Sequence, residues 1–364
     1  MPALNVQKSP LPLNGHRSVF GRLLDLLPSW KPTSEDKLEQ AESNVLKHLQ
    51  SDYQDSFVPI SSDAVIRTLT LTSKSSREVP LVMIHGFGAG LLQFYKNLDH
   101  LHSERSIHAL DLPGFGRSTR KPFPLHPDNA EQEFVDYLEI WRKAMRLEKF
   151  VLLGHSFGAY IACAYTLRYP ERVRHLILVD PWGFAQPPNE QELNDKFKQS
   201  SWFWRAVGKL KPFTVVRTVG PWGPTIIKRM RADLVNTFSE EFLDYVYHCN
   251  AQKPTGEMAY NAMQYYFAWS QRPMLSRVAS SLCLSVPLTV VCGRSSWLGR
   301  LEDKTPEKIA QARHDSYVAV HYVEGAGHHV HADKPAEFNQ IVSATLKLVD
   351  TDQDIATDSN PSNK

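Results

Sequence analysis

A serine flanked by glycines is the residue of this sequence best placed to act as a nucleophile. Residues 154–158 read Gly-His-Ser-Phe-Gly, and they follow the apolar run 150–153 and precede a helical pattern at 159–165. A tight turn from strand to helix needs glycines, because Cβ atoms would collide there, and it exposes the serine hydroxyl at the start of the helix. The pattern predicts a nucleophile elbow with Ser156 as the attacking group, with a plain glycine-rich turn as the alternative.

A second turn supplies the donors that a serine nucleophile needs. Residues 85–88 read His-Gly-Phe-Gly and follow the apolar strand pattern 80–84. During acyl transfer the attacked oxygen becomes negative, and each backbone N–H that binds it contributes roughly 2.7–4 kcal/mol to the transition state. We expect the N–H groups of Phe87 and Phe157 to form this oxyanion hole. A simple strand-ending turn at 85–88 is the alternative.

The general base is expected far downstream of the serine. His328 follows the strand pattern 317–323 and a glycine-rich turn, and it precedes a helix that opens near 334–337. It would take the Ser156 proton and later return it to the leaving group. His328, His329 and His331 lack the ligand spacing and the distant cysteine pairs of a zinc site, so we predict no metal and no cofactor.

The acid that orients the base has three candidates. The loop after the strand 286–293 carries two adjacent carboxylates, and we rank Asp303 first and Glu302 second. Asp180 ranks third because it ends the strand 175–179 at the same edge of the predicted sheet. Only a carboxylate that reaches the imidazole can fix its tautomer. A solvated loop charge is the alternative for Asp303 and Glu302.

Apolar strand patterns that alternate with helical patterns must position these residues. They predict an α/β fold with a mostly parallel central sheet, helices on both faces and a helical cap insert. The 364-residue chain with 42% hydrophobic residues can bury a large core. We expect a disordered N-terminus at 1–18, an amphipathic segment and helix at 19–59, core at 60–184, cap at 185–284, core at 285–349 and a disordered tail at 350–364.

The cap sequence is crowded with aromatic residues. In the predicted fold, an insertion after the strand that ends at Asp180 lies over the active site. The inner face of this cap would therefore line a pocket for acyl chains. The alternative is that the rings form the core of the cap itself. These residues are Trp202, Phe203, Trp204, Phe213, Trp222, Tyr265, Tyr266, Phe267 and Trp269.

The segment before the core has one apolar helical stripe. It is too short to span a bilayer, but it could lie on a membrane or droplet surface with its tryptophan at the headgroup level. Packing of the stripe on the protein body is the equal alternative. The stripe consists of Phe20, Leu23, Leu24, Leu27 and Trp30.

Composition narrows the class of protein further. The formal net charge of +2, with no basic cluster among aromatics, excludes a nucleic-acid binder. The sequence has 4 cysteines without C-x-x-C spacing, which favours a reducing, cytoplasmic location. It also has no apolar run of about 18 residues, so we expect no membrane-spanning helix.

Several longer stretches carry a resemblance to a known family. Residues 27–34, 111–118, 176–184 and 247–252 resemble the α/β-hydrolase-domain 4/5 subfamily of lipid-metabolising proteins, and the likeness extends from about residue 23 to about residue 350. The resemblance implies an α/β-hydrolase fold and a serine hydrolase or acyltransferase that acts on glycerophospholipids or lysophospholipids. The chain departs from the family at the acid loop, where the family's aspartate falls near Gly299 or near Glu302.

Other matches to the family suggest further activities. His328 with Asp333 matches the family's H-x-x-x-x-D sequence, which implies acyl transfer onto lysophosphatidic acid. One branch carries asparagine at the elbow and is a coactivator of a triglyceride lipase that promotes lipolysis on lipid droplets, whereas this chain has Ser156. Arg294 and Gly327 match positions that the resemblance links to lipase activation.

The resemblance leaves two functional hypotheses and a location open. The first is an enzyme, and the alternative is a droplet coactivator that kept Ser156 but lost an effective acid. An epoxide- or haloalkane-type hydrolase is disfavoured, because those enzymes use aspartate at the elbow. The family implies a protein peripheral to lipid droplets or intracellular membranes, with the mitochondrion as an alternative and a triglyceride lipase as a partner.

Overall fold

A central sheet with helices on both faces organises the protein. The computed structural model describes residues 33–73, 79–189, 213–218, 222–266, 269–281, 285–301 and 304–358. Its strands are β1 (Gln54–Ser61), β2 (Ala64–Leu71), β3 (Leu81–Ile84), β4 (Ile107–Leu110), β5 (Phe150–His155), β6 (Val173–Val179), β7 (Gln264–Tyr266), β8 (Trp269–Ser270), β9 (Leu288–Gly293) and β10 (Val318–Val323).

The helices follow the strands in alternation through most of the chain. They are α1 (Glu35–Leu46), α2 (Tyr95–His102), α3 (Pro127–Ala144), α4 (Phe157–Arg168), α5 (Thr214–Thr218), α6 (Gly223–Met230), α7 (Ala232–Val235), α8 (Glu240–Ala251), α9 (Thr255–Met263), α10 (Met274–Ser281), α11 (Trp297–Leu301), α12 (Thr305–Ala312), α13 (Val330–Asp333) and α14 (Pro335–Asp358). Among the described residues, no helix combines the length and the apolar character that crossing a bilayer requires.

The sheet has eight strands in the order β1-β2-β4-β3-β5-β6-β9-β10. The pairs β1–β2 and β2–β4 are antiparallel, and all other neighbours are parallel. Every residue of β3, β5 and β9 is buried, as expected for parallel strands that are covered on both faces. The predicted mostly parallel sheet with flanking helices is therefore confirmed.

Alternate residues of one strand pack into two separate cores. Val82 and Ile84 of β3 belong to the core on one face of the sheet, whereas Leu81 and Met83 belong to the core on the other. This alternation follows from the two-residue period of a β-strand. The two cores hold the carboxyl ends of β3, β5 and β6 rigidly beside each other, and the chemistry-bearing turns start there.

Three element boundaries differ from those expected from the sequence. The sheet begins at Gln54 rather than near residue 60, because β1 is an edge strand whose first residues are polar and mostly exposed. The sequence pattern of residues 130–147 predicts a helix, and the helix observed there, α3, starts earlier, with Pro127 in its first turn. The last helix, α14, continues to Asp358, past the expected end of the core at residue 349.

Candidate active site

Ser156 occupies the tight turn between β5 and α4. Its backbone has φ 54° and ψ −116°, a conformation that non-glycine residues rarely adopt. The flanking glycines make this turn feasible. A Cβ on Gly154 would lie 2.5 Å from the carbonyl carbon of Gly158, and one on Gly158 would lie 2.5 Å from the oxygen of Ile84. The elbow therefore has the backbone geometry that the sequence predicts.

His328 lies between Ser156 and a carboxylate. Its Nε2 is 3.1 Å from the Ser156 Oγ, and its Nδ1 is 2.5 Å from Oδ2 of Asp180. All three side chains are buried. With the proton on Nδ1 donated to Asp180, the lone pair of Nε2 faces the serine hydroxyl and can accept its proton. This is the arrangement of a nucleophile, a base and an orienting acid.

The carboxylate beside His328 is that of Asp180, the candidate acid that the sequence ranked third. Asp303 and Glu302, ranked above it, lie outside the described residues. Asp180 directly follows β6, which pairs with β5, so its carboxylate and Ser156 come from neighbouring strand ends. The loop after β9 contributes Ser296, whose hydroxyl donates to Asp180 Oδ2 at 2.5 Å. An aspartate at the carboxyl end of a strand next to the elbow was the sequence signal for this site.

The two candidate oxyanion donors flank the serine. Phe157 is the first residue of α4, so its N–H has no partner within the helix. Neither it nor the N–H of Phe87 donates a hydrogen bond to another described residue. The turn of Phe87 packs against the elbow, since a Cβ on Gly86 would lie 2.6 Å from His155 Nδ1. Both N–H groups are thus available to an anionic oxygen bound at Ser156.

Gln93 connects three segments around the serine, and sequence reasoning missed it. Its Oε1 accepts a hydrogen bond from the Gly86 N–H at 2.8 Å, and its Nε2 lies 2.5 Å from His155 Nδ1 and 3.2 Å from His331 Nε2. The other nitrogen of His155 contacts the carbonyl oxygen of His328 at 2.9 Å. Gln93 therefore fixes the oxyanion turn, the elbow and the loop of the base relative to one another.

Burial keeps the histidines beside Gln93 uncharged. Desolvation lowers the pKa of His155 and of His331 well below the ordinary value, and the neighbouring histidines add to the effect. Among the residues that the structure describes, no group of three His, Cys, Asp or Glu side chains is arranged to bind a metal ion.

The residues of the H-x-x-x-x-D match have a structural connection. Oδ2 of Asp333 accepts a hydrogen bond from the Gly327 N–H at 2.8 Å, and Oδ1 accepts one from the Thr237 hydroxyl at 2.5 Å. Asp333 thus supports the loop that carries His328. Arg294 lies apart from the serine, where it pairs with Glu324 at the surface.

Ser156 lines a small pocket whose apolar wall comes from the segment 234–246. Leu234, Phe238, Phe242 and Val246 line it opposite Phe87 and the catalytic residues. None of the aromatic residues singled out from the sequence lines this pocket within the described residues. Phe213 and Trp269 are buried, Trp222 and Tyr265 are exposed, the side chain of Tyr266 is not described, and Trp202, Phe203, Trp204 and Phe267 lie outside the described residues.

The spacing of Phe242 and Val246 was the signal for the wall, since residues four apart share one face of a helix, and Phe238 precedes α8 directly before its N-cap Ser239. The apolar stripe of the N-terminal segment, Phe20 to Trp30, lies outside the described residues.

Comparisons with known proteins agree with this geometry. Residues 79–335 match the family model of the α/β-hydrolase fold. The chain is 41% identical over 324 residues to a (lyso)-N-acylphosphatidylethanolamine lipase of Mus musculus, covering 87% of this chain and 94% of that protein. It is 40% identical to the 1-acylglycerol-3-phosphate O-acyltransferase ABHD5 of Rattus norvegicus, covering 87% and 91%.

Among solved structures, a bacterial membrane phospholipase A has a similar fold. The TM-score is 0.63 at 20% identity, and the match covers 91% of this chain and 98% of that chain.

Proposed function

The chain belongs to the α/β-hydrolase family and, within it, to the α/β-hydrolase-domain 4/5 subfamily, and on this premise we propose that it is a serine hydrolase or acyltransferase of glycerophospholipids or lysophospholipids. Ser156 is the nucleophile, His328 the base and Asp180 the orienting acid. The observation that carries the proposal is the continuous contact from Ser156 Oγ through His328 to Asp180.

The geometry supports a two-step acyl transfer. His328 Nε2 takes the proton from Ser156 as the serine oxygen attacks the ester carbonyl, and the N–H groups of Phe87 and Phe157 bind the resulting oxyanion. The C–O bond to the glycerol unit then breaks, and His328 returns the proton to the leaving oxygen. An acyl-serine remains, with its chain along the apolar wall of the pocket.

The second step decides between hydrolysis and transfer. Water or the hydroxyl group of a lysophospholipid gives a proton to His328 and attacks the acyl-serine. The bond to Ser156 Oγ then breaks, His328 gives the proton to this oxygen, and a fatty acid or a new ester is released. Asp333 is needed for either reaction as a support for the loop of His328, through its bond to the Gly327 N–H. An intact triad argues against a coactivator that lost its acid.

The place of action is a further part of the proposal. The apolar stripe Phe20–Trp30 would hold the enzyme on intracellular membranes or lipid droplets. Contact with a triglyceride lipase would involve Arg294, whose side chain is exposed and free of any role at Ser156.

Labelling with a fluorophosphonate probe tests the nucleophile directly. The wild type should be labelled and should release fatty acid from lyso-N-acylphosphatidylethanolamine. Ser156→Ala should lose labelling and about 10⁴-fold or more in turnover, because triad members act as a unit. The control is Ser103→Ala, which removes an exposed hydroxyl at the end of α2. Near-wild-type turnover in purified Ser156→Ala would refute the proposal.

A further inference from the structure

Arg231 brings a positive charge into the pocket of Ser156. It forms the turn between α6 and α7, and it is the only Lys, Arg, Asp or Glu among the described residues that line the pocket. We propose that Arg231 binds the phosphate of the substrate's head group and makes the enzyme select phosphate-bearing over neutral glycerolipids. This inference rests on the proposed function and assigns the part of the site that reads the head group.

The guanidinium of Arg231 is held in one orientation. Its Nε and Nη2 donate to the Asp233 carboxylate at 3.1 and 3.0 Å, and Nη2 lies 3.0 Å from Nε2 of His329. Its hydrogen bonds to described residues start from Nε and Nη2 and go to Asp233, because the N–H of His329 Nε2 donates to the same carboxylate. No described residue accepts a hydrogen bond from Nη1, and we assign its two N–H groups to the ligand. A guanidinium held in place suits a phosphate, whose oxygens accept charge-assisted hydrogen bonds from its N–H groups.

The neighbours of Arg231 keep this arrangement at neutral pH. Burial lowers the pKa of His329 to about 4, so this imidazole stays uncharged and does not add to the cation. Burial alone would raise the pKa of Asp233, but the hydrogen bond from His329 and the charge of Arg231 outweigh it and lower the pKa below its ordinary value. The Asp233 carboxylate therefore remains ionised and hydrogen-bonded to the guanidinium.

The position of Arg231 relative to the triad fits a glycerophospholipid. The ring of His329, which Arg231 contacts, has its centroid 5.2 Å from that of His328. The imidazole of His329 thus lies between the guanidinium and His328, the base that protonates the leaving oxygen. In a glycerophospholipid a glycerol unit separates the scissile ester from the phosphate. A released fatty acid would instead keep its carboxyl group at Ser156, so the geometry favours the phosphate as the anion.

The test compares two substrates with the same acyl chain, oleoyl lysophosphatidic acid and monooleoylglycerol. Arg231→Gln should lower the ratio of kcat/KM for the phosphate-bearing over the neutral substrate by about 10- to 100-fold, the effect of losing a charge-assisted hydrogen bond. Arg231→Lys, which keeps the charge but not the fork, should fall between Gln and the wild type. The matched control is Arg229→Gln, which removes the same charge from the exposed side of α6 and should leave the ratio unchanged.

A binding measurement separates this inference from the proposed chemistry. In the Ser156→Ala background, which cannot turn over, binding of the same two lipids should still favour lysophosphatidic acid, and Arg231→Gln should abolish that preference. If wild type fails to hydrolyse either lipid but the preference depends on Arg231, the chemistry is wrong and the head-group site stands. An equal loss with Arg229→Gln, or a folded Arg231→Gln with the wild-type ratio, would overturn the assignment of Arg231.

Discussion

Replacing Asp180 by asparagine tests the part of the site that the sequence placed least well. Asparagine has the same shape, so we expect the fold to persist, although the Ser296 hydroxyl contacts the same oxygen, Oδ2, as His328 Nδ1 and loses this acceptor when an amide nitrogen takes its position. Its amide group, however, can donate to Nδ1 of His328, which shifts the imidazole proton to Nε2. The nitrogen that faces Ser156 would then carry a proton and could not accept another.

The expected cost follows from this change of tautomer. Loss of the correct tautomer in a serine triad lowers kcat by roughly 10⁴-fold, which corresponds to about 5.5 kcal/mol at about 1.36 kcal/mol per tenfold change. Asp303→Asn and Glu302→Gln serve as matched controls, because each removes one carboxylate charge from the loop after β9. We expect each to change kcat by about threefold at most, as for surface substitutions in general.

The assay is steady-state hydrolysis of a soluble short-chain ester, with thermal melting of each variant to confirm folding. The expected order is a severe loss for Asp180→Asn and near-wild-type rates for both loop variants. A folded Asp180→Asn with more than a tenth of wild-type kcat, together with a loss of a hundredfold or more in Asp303→Asn, would show that the acid comes from the loop after β9 and would refute the reasoning.

Three further outcomes are expected. Gly158→Ala should destabilise the protein by about 3 kcal/mol or more in thermal melting. The added Cβ would lie 2.5 Å from the carbonyl oxygen of Ile84, and this backbone atom cannot move aside. A wild-type melting temperature would contradict this prediction. Deleting residues 1–30 should reduce flotation with liposomes while ester hydrolysis stays nearly unchanged, and unfolding of the truncated protein would instead indicate that the stripe packs on the body. Lowering the pH from 7 to 5 should reduce the free energy of unfolding by about 2 kcal/mol for each of His108 and His175. Burial lowers the pKa of each histidine in the folded protein to about 4, whereas the pKa in the unfolded chain is near 6.5. The unfolded chain therefore binds more protons in this pH range. His175→Gln should flatten the dependence, and an unchanged slope would count against this attribution.

Sequence alone predicted the features that consecutive residues determine. The elbow is visible because strand, glycines, serine and helix are consecutive, and His328 because a glycine-rich turn follows a strand. Family membership confirms the predicted fold and the expectation of an enzyme of lipid metabolism. These features need no knowledge of which distant segments meet.

The features that sequence reasoning missed depend on contacts between distant segments. Gln93 has no motif of its own, because its three partners come from residues 86, 155 and 331. The position of Asp180 beside His328 depends on strand order, because β6, which Asp180 follows, pairs with β5, which carries Ser156 at its end. The sequence analysis named the tryptophans of the cap and missed Phe242 and Val246 of α8, although their helical spacing was present in the sequence.

The amide of Gln93 has a consequence for how protons are distributed around the serine. A glutamine nitrogen has only hydrogens to offer, so both ring nitrogens that it faces, on His155 and His331, must present lone pairs. Each of these imidazoles is thereby fixed as a single tautomer, and burial bars a second proton from either. Burial also keeps His329 uncharged, because it lowers the pKa of this imidazole to about 4. The three imidazoles beside His328 therefore offer no site for a proton taken from the serine, and this proton is left for the departing oxygen.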